Sequence, residues 1–264
     1  MHRPNLGVNA DDFRLPAKEA LQAAAELEFA AVELGAAAGQ VTPESLSDSG
    51  RRHVRRYIQD LGLRLASLGA DIPGLRLTDP RSVEERISRT RRILELAREL
   101  GAPVVTTGVG ALTHPETGEP SPVGLAALRN LGELADSLGT LLALRPFGEP
   151  ADRLGRVLHD LACPSIRLCL DPAALVIHGI RPGSLIERFP KDVLLVHARD
   201  GTVGRADRPG QETGLGDGDS DWNGLIALLR DADYAGEFIV HRTDAVRPVA
   251  ELREARDTLR GWLA

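Results

Sequence analysis

The chain has 264 residues, 42% of them hydrophobic and 27% charged, with a formal net charge of −6. Those values suit a globular protein large enough for one α/β barrel, and the acidic balance argues against nucleic acid as a default partner. Aromatic residues contribute only 3%, so the core must be built from Leu, Val, Ile and Ala. Lys18 and Lys191 are the only lysines, and the abundance of arginine reads as a composition bias, not a phosphate-binding device. No apolar run reaches the roughly 18 residues of a membrane span, and the first residues carry no signal-peptide pattern, so a cytoplasmic protein is expected. Cys163 and Cys169 form neither a CxxC pair nor a metal-ligand spacing, and two reduced buried thiols are expected.

Strand and helix patterns alternate along the whole chain. Residues 5–8 read as a first strand, and Ala17, Ala20, Leu21, Ala24 and Leu27 repeat at helical spacing behind Pro16. Residues 31–34 form the second strand. A helix follows from Ser47 to about Leu61, with Gly62 as its stop, and residues 63–68 form the third strand. Asp79-Pro80 opens a helix whose inner face carries Val83, Ile87, Leu94, Ala97 and Leu100, closed by Gly101. Its arginines, Arg86, Arg89, Arg91 and Arg92, alternate with Glu84, Glu85 and Glu95 and are expected on a solvated, salt-bridged outer face. The same holds for Arg51, Arg52, Arg55 and Arg56.

Residues 104–107 are the fourth strand, 122–138 a helix, 140–144 the fifth strand, 153–161 a helix and 166–170 the sixth strand. A weaker helix over 183–189 precedes the run Val193-Leu194-Leu195-Val196-His197. Continuous apolar residues of this kind suit a strand buried on both faces, as in a parallel sheet covered by helices. Asp221-Trp222 starts the next helix, residues 237–240 are the eighth strand, and 248–263 the last helix. Repeated βα units of this number predict an α/β fold, a single (β/α)8 TIM barrel over residues 1–264. No glycine-rich dinucleotide or P-loop fingerprint follows the first strand, so an open doubly wound sheet and a nucleotide cofactor are not expected.

Four apolar runs end in polar residues: Arg145, Asp171, His197 and His241. Strand carboxyl ends of a parallel barrel converge on one mouth, so these four are the candidate site. His2, His53 and His159 are expected on the surface, while His114 and His178 sit in loops within reach of the mouth.

The chain resembles the xylose-isomerase-like barrel superfamily, which includes sugar epimerases, sugar-phosphate isomerases and endonuclease IV-type repair enzymes. The resemblance rests on Leu6-Gly7-Val8-Asn9, Ala31-Val32-Glu33-Leu34, Leu170-Asp171-Pro172-Ala173, His197-Ala198-Arg199-Asp200, and Glu212-Thr213-Gly214-Leu215-Gly216-Asp217-Gly218 before Asp221-Trp222. It implies a small sugar or sugar phosphate as partner and leaves homo-oligomerisation open; the acidic balance and the lack of an apolar span exclude nucleic acid and membrane from the expectation. It implies one divalent metal (Mn, Zn, Mg or Co) held by Glu, Asp, His and Glu at the ends of strands five to eight, with the two glutamates moving a proton beside a carbonyl. Glu33, Arg199 and Glu212 become candidate substrate-binding groups.

Asp171 and His197 match two of the four ligand positions, while the glutamate positions hold Arg145 and His241. The implied tetrad carries a formal charge of −3; here Arg145 at +1 and Asp171 at −1 leave zero with neutral histidines. An arginine about 5 Å from a divalent cation costs on the order of 6 kcal/mol at an effective dielectric near 20. That is about four decades of affinity. Three readings follow. His241 and Arg145 act as base and enediolate stabiliser in an altered isomerase or epimerase. Alternatively, the barrel binds a ligand or partner without turnover. A third reading rebuilds a metal site from Asp171, His197 and His241, which requires Arg145 to be displaced. A histidine three residues after Asp171 is absent (Ala174 stands there), strand four ends in Thr107-Gly108, and the mouth lacks the ligands for three-metal DNA repair.

Overall fold

The computed structural model describes residues 6–205 and 207–264; His2 and Asn5, the predicted start of the first strand, lie outside them. Eight parallel strands close into a barrel in the order β1-β10-β7-β6-β5-β4-β3-β2. They are β1 (Leu6–Asn9), β2 (Ala31–Gly35), β3 (Arg64–Gly69), β4 (Val104–Val109), β5 (Leu141–Pro146), β6 (Ile166–Leu170), β7 (Val193–Ala198) and β10 (Glu237–Val240). Two short strands, β8 (Asp200–Thr202) and β9 (Gln211–Thr213), form an antiparallel hairpin above β7.

The helices on the outside are α1 (Ala17–Glu26), α2 (Asp48–Asp60), α3 (Val83–Leu100), α4 (Pro122–Leu138), α5 (Ala151–Leu161), α6 (Pro172–Ile177), α7 (Gly183–Arg188), α8 (Trp222–Asp231) and α9 (Pro248–Leu263). Their ends follow local chemistry. Ser47 and Ser121 cap α2 and α4 by accepting the N–H groups of Gly50 and Gly124. Gly101 and Gly139 end α3 and α4 in the left-handed region, at φ of 81° and 66°. Among the described residues no helix is long and apolar enough to cross a membrane.

Two cores result. The larger lies between sheet and helices and is rich in leucine, as the low aromatic content requires. The smaller fills the barrel with Ala31, Ala66, Val104, Ala143, Cys169, Leu195 and Ile239. Side chains alternate along a strand, so the residue two positions further on points inward as well, one layer nearer the mouth. That places Glu33, Thr106, Arg145, Asp171, His197 and His241 above Ala31, Val104, Ala143, Cys169, Leu195 and Ile239. The alternation itself puts the polar layer on top of the apolar one.

Candidate active site at the barrel mouth

Two linked clusters fill this polar layer. The first is a row of alternating charge. Arg145 donates to Asp71 and, at 3.0 Å, to Asp171 Oδ2; Arg199 donates to the same oxygen at 2.8 Å and to Glu212. Arg242 donates to the other oxygen of Glu212 at 2.8 Å and meets Glu251 at 3.1 Å. Asp171 is completely buried, and its second oxygen accepts the N–H of Ala174, capping α6. Burial alone would raise the pKa of this carboxyl, but Arg199 and Arg145 hold it well below the usual range.

The second cluster surrounds Glu33, which is also buried. Its Oε2 accepts from Ser67 at 2.6 Å and Thr106 at 3.1 Å, and lies 3.2 Å from His197 Nε2. Its Oε1 accepts from Asn9 at 3.0 Å and lies 3.5 Å from His241 Nε2. His241 Nδ1 is 2.7 Å from Asp12, whose carboxylate also accepts the backbone N–H of Arg242. Glu33, His197 and His241 thus place one nitrogen or oxygen each within 4.8 Å of one another.

Proton positions follow from these neighbours. Burial disfavours a charged His241 ring, but Asp12 overrides it and pushes the pKa up to about 10. When charged, Nε2–H faces Glu33; when neutral, Nε2 accepts from the Asn9 amide 2.9 Å away. Burial likewise opposes charge on His197, whose pKa is nevertheless pushed up to about 9 beside Cys169 and Glu33. Burial also pushes the Cys169 thiol up, so at neutral pH the charged partner of the His197 ring is the Glu33 carboxylate. Glu33 itself sits well below the usual range: burial works against its charge, and His197 and His241 outweigh it.

Both histidine pKa values are raised on folding. Their stabilisation is complete below the unfolded value near 6.5 and is lost as pH rises through about 9 to 10. The urea midpoint is therefore expected to fall between pH 7 and 10, less steeply in His241→Gln. Equal slopes for the two proteins over that range would rule out a charged His241.

The hairpin holds Glu212 in place. Asp200, buried beneath it, accepts the N–H groups of Gly201, Gly216, Gly218 and Ser220 at 2.8 to 3.3 Å. A Cβ on Gly218 would stand 2.2 Å from the Asp200 carboxylate, so only glycine fits there.

Residues 21–263 match the family model of the xylose isomerase-like TIM barrel. The chain belongs to this family. Solved structures agree in fold. A xylose isomerase domain protein from Planctomyces limnophilus superposes with a TM-score of 0.82 at 20% identity, covering 92% of this chain and 91% of that one. A D-tagatose 3-epimerase-like protein gives 0.81 at 16% identity over 98% and 97%. The IOLI protein with a bound zinc atom gives 0.81 at 17% identity over 98% of both chains. No curated protein matches the chain in sequence.

Within this xylose isomerase-like barrel, Arg145, Asp171, His197 and His241 do meet at the mouth. Arg199 and Glu212 join the first cluster and Glu33 the second. The metal set read from sequence required Arg145 to move away from Asp171; it remains 3.0 Å away, and Glu33, not Asp171, converges with the two histidines. Asn9, Asp12, Ser67, Asp71 and Thr106 were missed. Asn9 and Thr106 carry a usable signal, the two-residue step beyond Gly7 and Val104. Asp12 lies in a 3-10 turn (Ala10–Phe13) and Asp71 in a loop, with no comparable pattern.

Arg86 requires a correction. It is buried, not on a solvated outer face, because position 86 lies three residues after Val83 and four before Thr90, both on the inner face of α3. Its guanidinium donates to the carbonyls of Ile72 and Gly108 and to the Thr107 hydroxyl. Of the five arginines on that helix, Arg92 forms a salt bridge, with Glu44. His178 lines the mouth cavity with its ring against Phe147.

Proposed function

We propose that this barrel is an isomerase- or epimerase-like protein for a sugar or sugar phosphate, with an ion-paired cluster in place of the divalent-metal centre. One observation carries the reading: two guanidiniums, those of Arg145 and Arg199, converge on the single oxygen Asp171 Oδ2. The residues at these positions do not fit a divalent ion. The two arginines supply the positive charge a metal would bring, and they occupy the carboxylate that would hold it. Glu33 offers no ready replacement, since Ser67, Thr106 and Asn9 already donate to its oxygens.

On this reading the chain's own residues handle the proton. Asp12 on Nδ1 fixes the His241 ring so that Nε2 is the atom that gives or takes it. With a pKa near 10 the ring is protonated at neutral pH, so His241 takes the substrate C–H proton only in its neutral form, and turnover is expected to rise with pH toward that value. Arg145, which lines the mouth cavity, is placed to stabilise a developing enediolate oxygen.

A second reading, binding without turnover, has its own support. Glu33, Asp171, Glu212 and Asp12 all have cationic partners, which makes each of them a weak base. Exchange of substrate C–H with solvent deuterium, followed by NMR across ketoses, aldoses and their phosphates, separates the two. Exchange abolished in His241→Ala supports the enzyme. Saturable binding without exchange supports the silent barrel.

A further inference from the structure

Beside the site, over the ends of β3, β4 and β5, lies a cavity of about 550 Å³. Its lining carries three arginines, Arg76, Arg86 and Arg145, against one carboxylate, Asp71. Asp71 is already committed: it pairs with Arg145 and accepts the backbone N–H of Gly108.

Arg86 is the unusual member. It is 3% exposed, yet among the described residues no carboxylate comes within 4.0 Å of it. Its partners are two carbonyls and a hydroxyl, all neutral. Burying a cation without a counter-charge is costly, and arginine cannot escape by losing its proton. Burial does lower its pKa, with Asp71 only partly offsetting the effect. A guanidinium that holds this position at the wall of a cavity presents unbalanced positive charge to whatever enters.

We infer that this cavity is an oxyanion subsite, in which Arg86, with Arg76, takes a phosphate or carboxylate carried by the ligand, while Arg145 stays paired with Asp71 and Asp171. The volume falls within the range of small-molecule pockets, about 300 to 1,000 Å³. Guanidiniums recognise both groups through paired N–H donors. The inference rests on the sugar or sugar-phosphate reading and narrows it: the anionic group of the ligand sits over the ends of β3 to β5.

The test is calorimetric titration of the intact protein with inorganic phosphate and, separately, with acetate. Saturable binding of either, weakened roughly tenfold or more in Arg86→Met, is expected from the loss of a charge-assisted hydrogen bond. Phosphate preferred over acetate assigns a phosphate monoester, and the reverse a sugar acid. Arg76→Ala, at an exposed position, serves should Arg86→Met fail to fold, and is also expected to weaken binding. Binding of neither anion, or binding unchanged in the variants, overturns the subsite. Anion binding dependent on Arg86, with no deuterium exchange on any hydroxy-carbonyl compound, keeps the subsite and removes the isomerase reading. Exchange on neutral sugars without anion binding does the opposite.

Discussion

Asp171→Asn is expected to lower folding stability by about 3–5 kcal/mol, read from urea unfolding at neutral pH. The substitution preserves shape and leaves an oxygen to cap α6, but it puts an amide where two buried guanidiniums converge at 3.0 and 2.8 Å. Arg145 would keep Asp71 as a partner, and Arg199 would keep Glu212. That is why the loss belongs to a broken buried pair and not to the whole row. With the carboxyl held well below its usual range, its contribution is present above an unfolded pKa near 4 and vanishes only in strong acid. A loss below about 1 kcal/mol, in the range of an exposed pair, would mean that Asp171 is not the anchor of the row.

Glu33→Gln is the second large effect, at about 3 kcal/mol. The amide nitrogen must face either Ser67, Thr106 and His197 or Asn9 and His241, and donors already point there in both cases. The variant also removes the counter-charge of two histidines. Their ring titrations, followed by NMR, are expected to move to lower pH, further for His197 than for His241, because His241 keeps Asp12. Unmoved titrations would place the histidine protons elsewhere.

Both effects concern residues that differ in how readable they are from sequence. The strands Ile166–Leu170 and Glu237–Val240 and the helices Pro122–Leu138 and Pro248–Leu263 lie where periodicity places them, because apolar runs and proline or glycine punctuation mark their ends. The helix Pro172–Ile177 and the hairpin Asp200–Thr202 with Gln211–Thr213 were not expected. A six-residue helix has too few turns to show a period, and the hairpin depends on Asp200 gathering backbone N–H groups from Gly201 to Ser220, a tertiary contact. Asp171, Arg145, His197 and His241 stand out because each ends an apolar run. Asp71 and Asp12 do not, since their roles come from loops folded over the mouth. Arg86 shows the opposite hazard: a charge-rich helix suggests an outer face, whereas its spacing from Val83 and Thr90 already puts it inside.

The proposal that arginines stand in place of a metal centre is tested most directly by metal content. Purified protein, dialysed in turn against Mn, Co, Zn and Fe, would be measured by mass spectrometry beside Arg145→Glu and the double variant Arg145→Glu/Arg199→Gln. The wild type is expected to retain far less than one ion per chain. Binding should rise in Arg145→Glu and further in the double variant, as the guanidiniums on Asp171 are removed one after the other. Near-stoichiometric metal in the wild type would contradict the replacement and point instead to Glu33, His197 and His241 as the ligands.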